Sequence, residues 1–114
     1  MIKITPAGKR VRVTFNHEVI AESRDALVLE EAKYPPVYYL PRKDVKMERL
    51  IRTSHTTHCP HKGDATYYSL SNGLTARNAV WSYEQPFAQM NAIKDHLAFY
   101  PDQVSLEIDS ARTG

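Results

Sequence analysis

Alternation of apolar and polar residues at period two, broken every few residues by a proline, a glycine or a polar pair, most limits what this chain can fold into. Val11, Val13 and Phe15 alternate with Arg10, Arg12 and Thr14, the pattern of a strand with one face in a core. Asn16-His17 breaks the chain before Glu18-Val19-Ile20-Ala21-Glu22, and Ser23-Arg24-Asp25 breaks it again before Ala26-Leu27-Val28-Leu29-Glu30. Breaks this short cannot hold a helical crossover, so the three segments are expected to form an antiparallel meander. Pro35-Pro36 and Pro41 bracket Val37-Tyr38-Tyr39-Leu40, which suits a short edge strand. Asn72-Gly73 is a strong hairpin signal between Thr66–Leu70 and Leu74–Tyr83. Val104, Leu106 and Ile108 alternate as a last strand.

Helical signals are few. Asp44 could cap a brief helix through Ile51, and Pro86 opens a segment with Phe87, Met90, Ile93 and Leu97 at helical spacing. The expectation is a mainly β domain of about eight short strands in two antiparallel sheets, with one short helix. Residues 1–9, with Pro6 and Gly8, are expected as an N-terminal arm, 10–109 as the single domain and 110–114 as a polar tail.

No apolar run approaches the roughly eighteen residues that cross a bilayer, and Met1-Ile2-Lys3-Ile4 leads into no signal-like apolar region. The expectation is a soluble, cytoplasmic domain with no membrane partner. A lone cysteine, Cys59, cannot form an internal disulfide and fits a reducing compartment. The net charge of +2 conceals a basic segment at 42–62, where Arg42, Lys43, Lys46, Arg49, Arg52 and Lys62 face only Asp44 and Glu48. Such a run is more often a solvated face than a docking surface for phosphate, carboxylate or an acidic protein.

Chemistry concentrates in Thr57-His58-Cys59-Pro60-His61-Lys62-Gly63. His55, His58, Cys59 and His61 are zinc-type ligands, but a closed zinc site usually draws two ligand pairs from separate segments, and His17 and His96 offer no partner spacing. No metal is expected. Cys59 beside Lys62 could serve as a nucleophile, although no cysteine-hydrolase signature accompanies it and a structural thiol is the commoner case. Lys62-Gly63 lacks the earlier glycine of a phosphate loop. Asp64 stands without the second carboxylate that two-metal nucleotidyl transfer needs. What remains is aromatic plus basic: Tyr34, Tyr38, Tyr39, Tyr67, Tyr68, Trp81, Tyr83 and Tyr100 interleave with Arg49, Lys62 and Arg77. Such side chains stack a planar group while a cation holds its anionic end.

Over residues 10–108, Glu30, Pro36-Val37-Tyr38-Tyr39, Pro41, Asp44-Val45, Thr57, Cys59-Pro60-His61-Lys62-Gly63, Tyr67, Val80-Trp81-Ser82-Tyr83, Pro86 and Ala98-Phe99-Tyr100 occur in an order that resembles a family of small, mostly bacterial domains. That family is domain of unknown function 427, also filed under a nucleotidyltransferase label. The resemblance implies a β-tent fold, two antiparallel sheets leaning together, akin to zinc-binding relatives whose Cys-x-x-Cys pairs this chain lacks. It marks Glu30, Tyr38, Cys59, Lys62, Tyr67, Trp81 and Tyr83 as the pocket, and it supplies no established activity and no cofactor.

The expectation is therefore a domain that binds, or acts on, a planar anionic small molecule. Glu30, Cys59 and Lys62 are the catalytic candidates; Tyr38, Arg49, Lys62, Tyr67, Trp81 and Tyr83 are the ligand-binding ones. A homodimer fits this expectation and a specific nucleic-acid partner does not. The rival is a non-catalytic interaction module using segment 42–62.

Overall fold

In the computed structural model, which describes residues 1–110, the period-two segments become ten strands. They are β1 (Ile2–Pro6), β2 (Lys9–Phe15), β3 (Glu18–Ser23), β4 (Leu27–Glu31), β5 (Val37–Tyr39), β6 (Leu50–Cys59), β7 (Gly63–Ser71), β8 (Thr75–Ser82), β9 (Ala98–Phe99) and β10 (Ser105–Ser110). All pairings among them are antiparallel. The described residues form three sheets, ordered β1-β4-β5, β10-β2-β3 and β6-β7-β8-β9.

The mainly β, antiparallel architecture agrees with the sequence, and its details differ in instructive places. Three sheets stand where two were expected. The meander ends after β3, because β4 leaves that sheet and pairs instead with β1 and β5. Residues 2–6 are therefore no arm: Ile2 to Pro6 pair in register with Glu31 to Leu27. The expected tail at 110–114 lies, from 111 onward, outside the described residues.

Neither segment with helical signals is an α-helix. Residues 42–49 form two 3-10 turns, Arg42–Asp44 and Met47–Arg49, and the second segment is a 3-10 helix, Ala88–Ile93. Asp44 caps nothing; its carboxylate accepts a hydrogen bond from the Ser23 hydroxyl at 2.6 Å. The turn chemistry was legible. Asn16 and His17 both adopt positive φ, 46° and 67°, as a tight hairpin connection requires, and Gly73 at φ 99° turns the β7–β8 hairpin.

Opposite faces of β7 enter different cores. Tyr68 and Leu70 join Val11, Val13, Ile20, Leu40 and Val80, on the side of the β10-β2-β3 sheet. Ala65 and Tyr67 join Leu29, Tyr39, Tyr83, Met90 and Ile93, on the side of β4 and β5. Along the middle of β7 the four-stranded sheet is covered on both faces, which is why Tyr67-Tyr68-Ser69-Leu70 is buried without a break. Ile20, Leu40, Leu70 and Ile93 are fully enclosed, each contributing about 1.5–3 kcal/mol by burial. Leu40 and Leu97 tie β5 to the segment before β9 through reciprocal backbone hydrogen bonds of 2.8 Å.

A charged knot clamps the first 3-10 turn to the end of β8. Arg42 lies 3.3 Å and Arg52 3.0 Å from the Glu84 carboxylate, and both guanidinium groups sit over the Tyr68 ring, at 5.8 and 5.3 Å. The Tyr68 hydroxyl donates to Glu84. Burial acts to raise the pKa of Glu84, but the hydrogen bonds from Tyr68 and Arg52 and the charges of Arg52 and Arg42 outweigh it, so the pKa falls below the ordinary 4.5. A carboxylate with a depressed folded pKa contributes stability above its unfolded value and loses it as pH falls toward the folded one. Urea midpoints should therefore hold steady near neutral pH and decline below about pH 4.5. Glu84→Gln should lower the plateau and shallow this acid decline, leaving the part due to Glu18, which is depressed by Asn72 and Arg49. An acid limb unchanged in Glu84→Gln would show that the knot does not hold in solution.

Candidate functional site

The turn between β6 and β7 is what aims Lys62. Cys59 accepts a backbone hydrogen bond from Lys62 at 3.2 Å, closing a four-residue turn with Pro60 at its second position, where a fixed φ suits it. Lys62's own carbonyl accepts from the Phe87 N–H at 3.0 Å. Gly63 then enters β7 at φ +112°, a conformation that side chains rarely adopt. Held on both sides, Lys62 runs inward and is only 8% exposed. Its ammonium donates to Glu31 Oε1 at 3.1 Å and to Cys59 Sγ at 3.4 Å.

Above this pair opens a cavity of about 450 Å³. Its walls are aromatic: Tyr39 meets Trp81 edge-on with centroids 6.3 Å apart, and Trp81 leans on Tyr100 at 4.6 Å. Tyr34, Pro35 and Pro36 on one side and Tyr100 and Pro101 on the other also line it, and Tyr34 and Tyr100 are exposed. The Trp81 indole N–H donates to the Tyr39 hydroxyl at 3.3 Å, while the Tyr67 hydroxyl lies 3.1 Å from Thr57 Oγ1 and 3.4 Å from the Tyr100 hydroxyl. Tyr83 is different. It is 7% exposed and lines the cavity, yet its hydroxyl has no hydrogen-bond partner among the described residues.

Burial pushes the Tyr39 phenol up to about 12, and burial with the Tyr67 hydrogen bond does the same for Tyr100. Tyr83 is raised further, first by burial and then by Tyr39, Cys59, Tyr67 and Glu31. These phenols are neutral hydrogen-bonding groups at physiological pH, not bases. Among the described residues that line the cavity, Glu31 and Lys62 are the only charged ones.

Tyr38, Lys62, Tyr67, Trp81 and Tyr83 converge on this cavity, and Cys59 sits beneath it against Lys62. Two expected site residues do not. Glu30 is exposed and pairs across the sheet with Lys3, while its neighbour Glu31 turns inward to Lys62. Successive strand residues face opposite sides, and Leu29, two positions before Glu31, is in the core. Period two applied from Leu29 points to Glu31. Arg49 donates to Glu18 at 3.0 Å and is absent from the cavity lining. Tyr39 and Tyr100 belong to the wall and were left out of the expected site; nothing in a single sequence sorts eight aromatic residues by direction.

The Thr57–Gly63 stretch is less of a loop than its composition suggests, since β6 runs through Cys59. Strand alternation separates its candidate ligands. Cys59 packs against the core, and His58 lies on the exposed surface with Nδ1 2.7 Å from Asp64 Oδ1. His55 packs its ring on Tyr67 at 4.5 Å. Among the described residues no three His, Cys, Asp or Glu side chains gather at one point that could hold a metal ion.

The basic segment also resolves into pairs. Arg42 and Arg52 meet Glu84, Lys43 meets Asp25 and Asp44, Lys46 and Arg49 meet Glu18, and Lys62 meets Glu31.

Comparison with known families matches residues 3–110 to the family described as Domain of unknown function (DUF427). No curated protein matches the chain.

The Lys62–Glu31 contact yields a stability test. Removing one member of a largely enclosed pair leaves the other without its partner, at about 1–3 kcal/mol. Lys62→Met and Glu31→Gln should each destabilise by that amount in urea titrations. The double variant should cost less than the sum of the two, the excess being their coupling. Strict additivity would mean that the two side chains do not meet in solution.

Proposed function

For this chain, which belongs to the DUF427 family, we propose the binding of one small planar molecule in the cavity between β4, β5, β8 and β9. The observation that carries the reading is an aromatic cavity lined by Tyr83, a residue only 7% exposed whose hydroxyl has no hydrogen-bond partner among the described residues. A hydroxyl of a cavity-lining residue that no protein group pairs is left to a ligand atom or to water. The cavity lies in the size range of small-molecule sites, and its walls supply the flat apolar faces such ligands need.

The ligand stacks on Trp81 and Tyr100 and reaches Lys62 with its polar end. Glu31 already neutralises that lysine, so the site suits at most one negative charge and not a polyphosphate. One lining carboxylate also speaks for binding over nucleotidyl transfer, since the two-metal chemistry of that label draws on several. The interaction-module reading is the weaker one, because every cation of segment 42–62 already has a carboxylate partner within the chain.

Trp81 is the sole tryptophan, so its emission reports occupancy directly. In a screen of planar monocarboxylates, heterocycles and nucleotides, some planar compounds should quench it and raise the melting temperature in step. Trp81→Leu, followed by calorimetry, should then weaken binding by about tenfold, the worth of one good aromatic contact. A screen without any quenching compound, or affinity untouched by Trp81→Leu, would defeat the proposal.

A further inference from the structure

The floor of the cavity holds more than a cation. Lys62 has three ammonium hydrogens, of which one goes to Glu31 Oε1 and one toward Cys59 Sγ, leaving one. Glu31 uses one oxygen on Lys62, and its Oε2 has no hydrogen-bond partner among the described residues. Tyr83 adds a hydroxyl without a partner there. The site thus offers unused donors, from Lys62 and Tyr83, next to an unused acceptor on Glu31, all three residues lining one cavity with aromatic walls.

Each simple ligand class wastes part of this set. A phosphate or carboxylate brings its charge against Glu31, which lies 3.1 Å from the lysine that would attract it. A cation meets Lys62. A ring with acceptors only leaves the Glu31 oxygen desolvated and unpaired, and a plain hydrocarbon leaves all three groups so. One arrangement uses both signs at once: a carbonyl beside an N–H on the edge of a flat ring. Resting on the binding site proposed above, we infer that the ligand is an uncharged planar heterocycle with a lactam-type edge, whose C=O accepts from Lys62 or Tyr83 and whose N–H donates to Glu31.

Four bicyclic probes of one size separate the possibilities on the full chain, by Trp81 emission and calorimetry: carbostyril, N-methylcarbostyril, quinaldate and quinoline. Carbostyril alone carries the lactam edge and should bind about 10- to 100-fold tighter than the other three, as expected when a desolvated group loses its partner. Glu31→Gln should shrink the preference for carbostyril over its N-methyl form to less than about threefold, an effect that a mere steric clash of the methyl group would not produce. Tyr83→Phe, nearly isosteric, should weaken carbostyril more than quinoline, and it serves if Glu31→Gln folds poorly. Quinaldate binding tightest would overturn the inference in favour of the lysine charge, and equal affinities would overturn it in favour of the aromatic wall alone. Both results leave the pocket itself standing. Silence from all four probes also overturns the lactam edge, and the wider screen with Trp81→Leu then decides separately whether the pocket binds anything.

Discussion

The fold depends on a central sheet that has no outside along the middle of β7. A strand with one solvated face can alternate polar and apolar residues, whereas Tyr67-Tyr68-Ser69-Leu70 must find cover on both sides. The β10-β2-β3 sheet covers one face, and β4 with β5 covers the other. The two cores differ in composition. Aliphatic residues such as Val11, Val13, Ile20 and Leu70 fill the first core, while the second gathers Tyr39, Tyr67, Tyr83 and Trp81 around a gap. Aromatic rings enclose large areas but tile a small space poorly, and a cavity is what that mismatch leaves.

Strand content, turn positions and antiparallel pairing were legible in the sequence because they follow from local pattern, each set by a few neighbouring residues. Sheet membership was not. The run from Leu27 to Glu31 carries the same alternation whether it continues the β2–β3 meander or crosses to β1, and only the apolar faces of distant strands decide between them. The first residues were misjudged for a related reason: Pro6 and Gly8 interrupt the chain, yet Ile2 and Ile4 find an exposed β4 edge to pair with. Among the residues that line the cavity, Lys62 and Trp81 had been singled out from composition and resemblance. Choosing Glu30 over Glu31 shows how a one-residue error along a strand exchanges the inside for the outside.

Charge was the least legible property of all. Six cations against two acids in segment 42–62 look like a solvated basic face when counted along the chain, but Glu18, Asp25, Glu31 and Glu84 come from elsewhere in the sequence to meet them. Most of these pairs are exposed and individually worth little. Their collective effect is to cancel a local field that linear counting predicts, and to leave the cavity floor electrically balanced.

The same central sheet ends on one side in β6, an outer strand ten residues long whose residues from Ile51 to His58 are largely exposed. A long edge with free backbone donors and acceptors is a template on which another chain can grow by strand addition, the route to aggregation. Here the ladder with β7 loses register between Arg52 and Thr56, and the Thr53 hydroxyl turns to Asn78 at 2.7 Å. The edge is therefore kinked into two short pieces, too brief for a passing strand to zip along. An irregularity that costs the sheet part of one ladder protects the fold from its own β content.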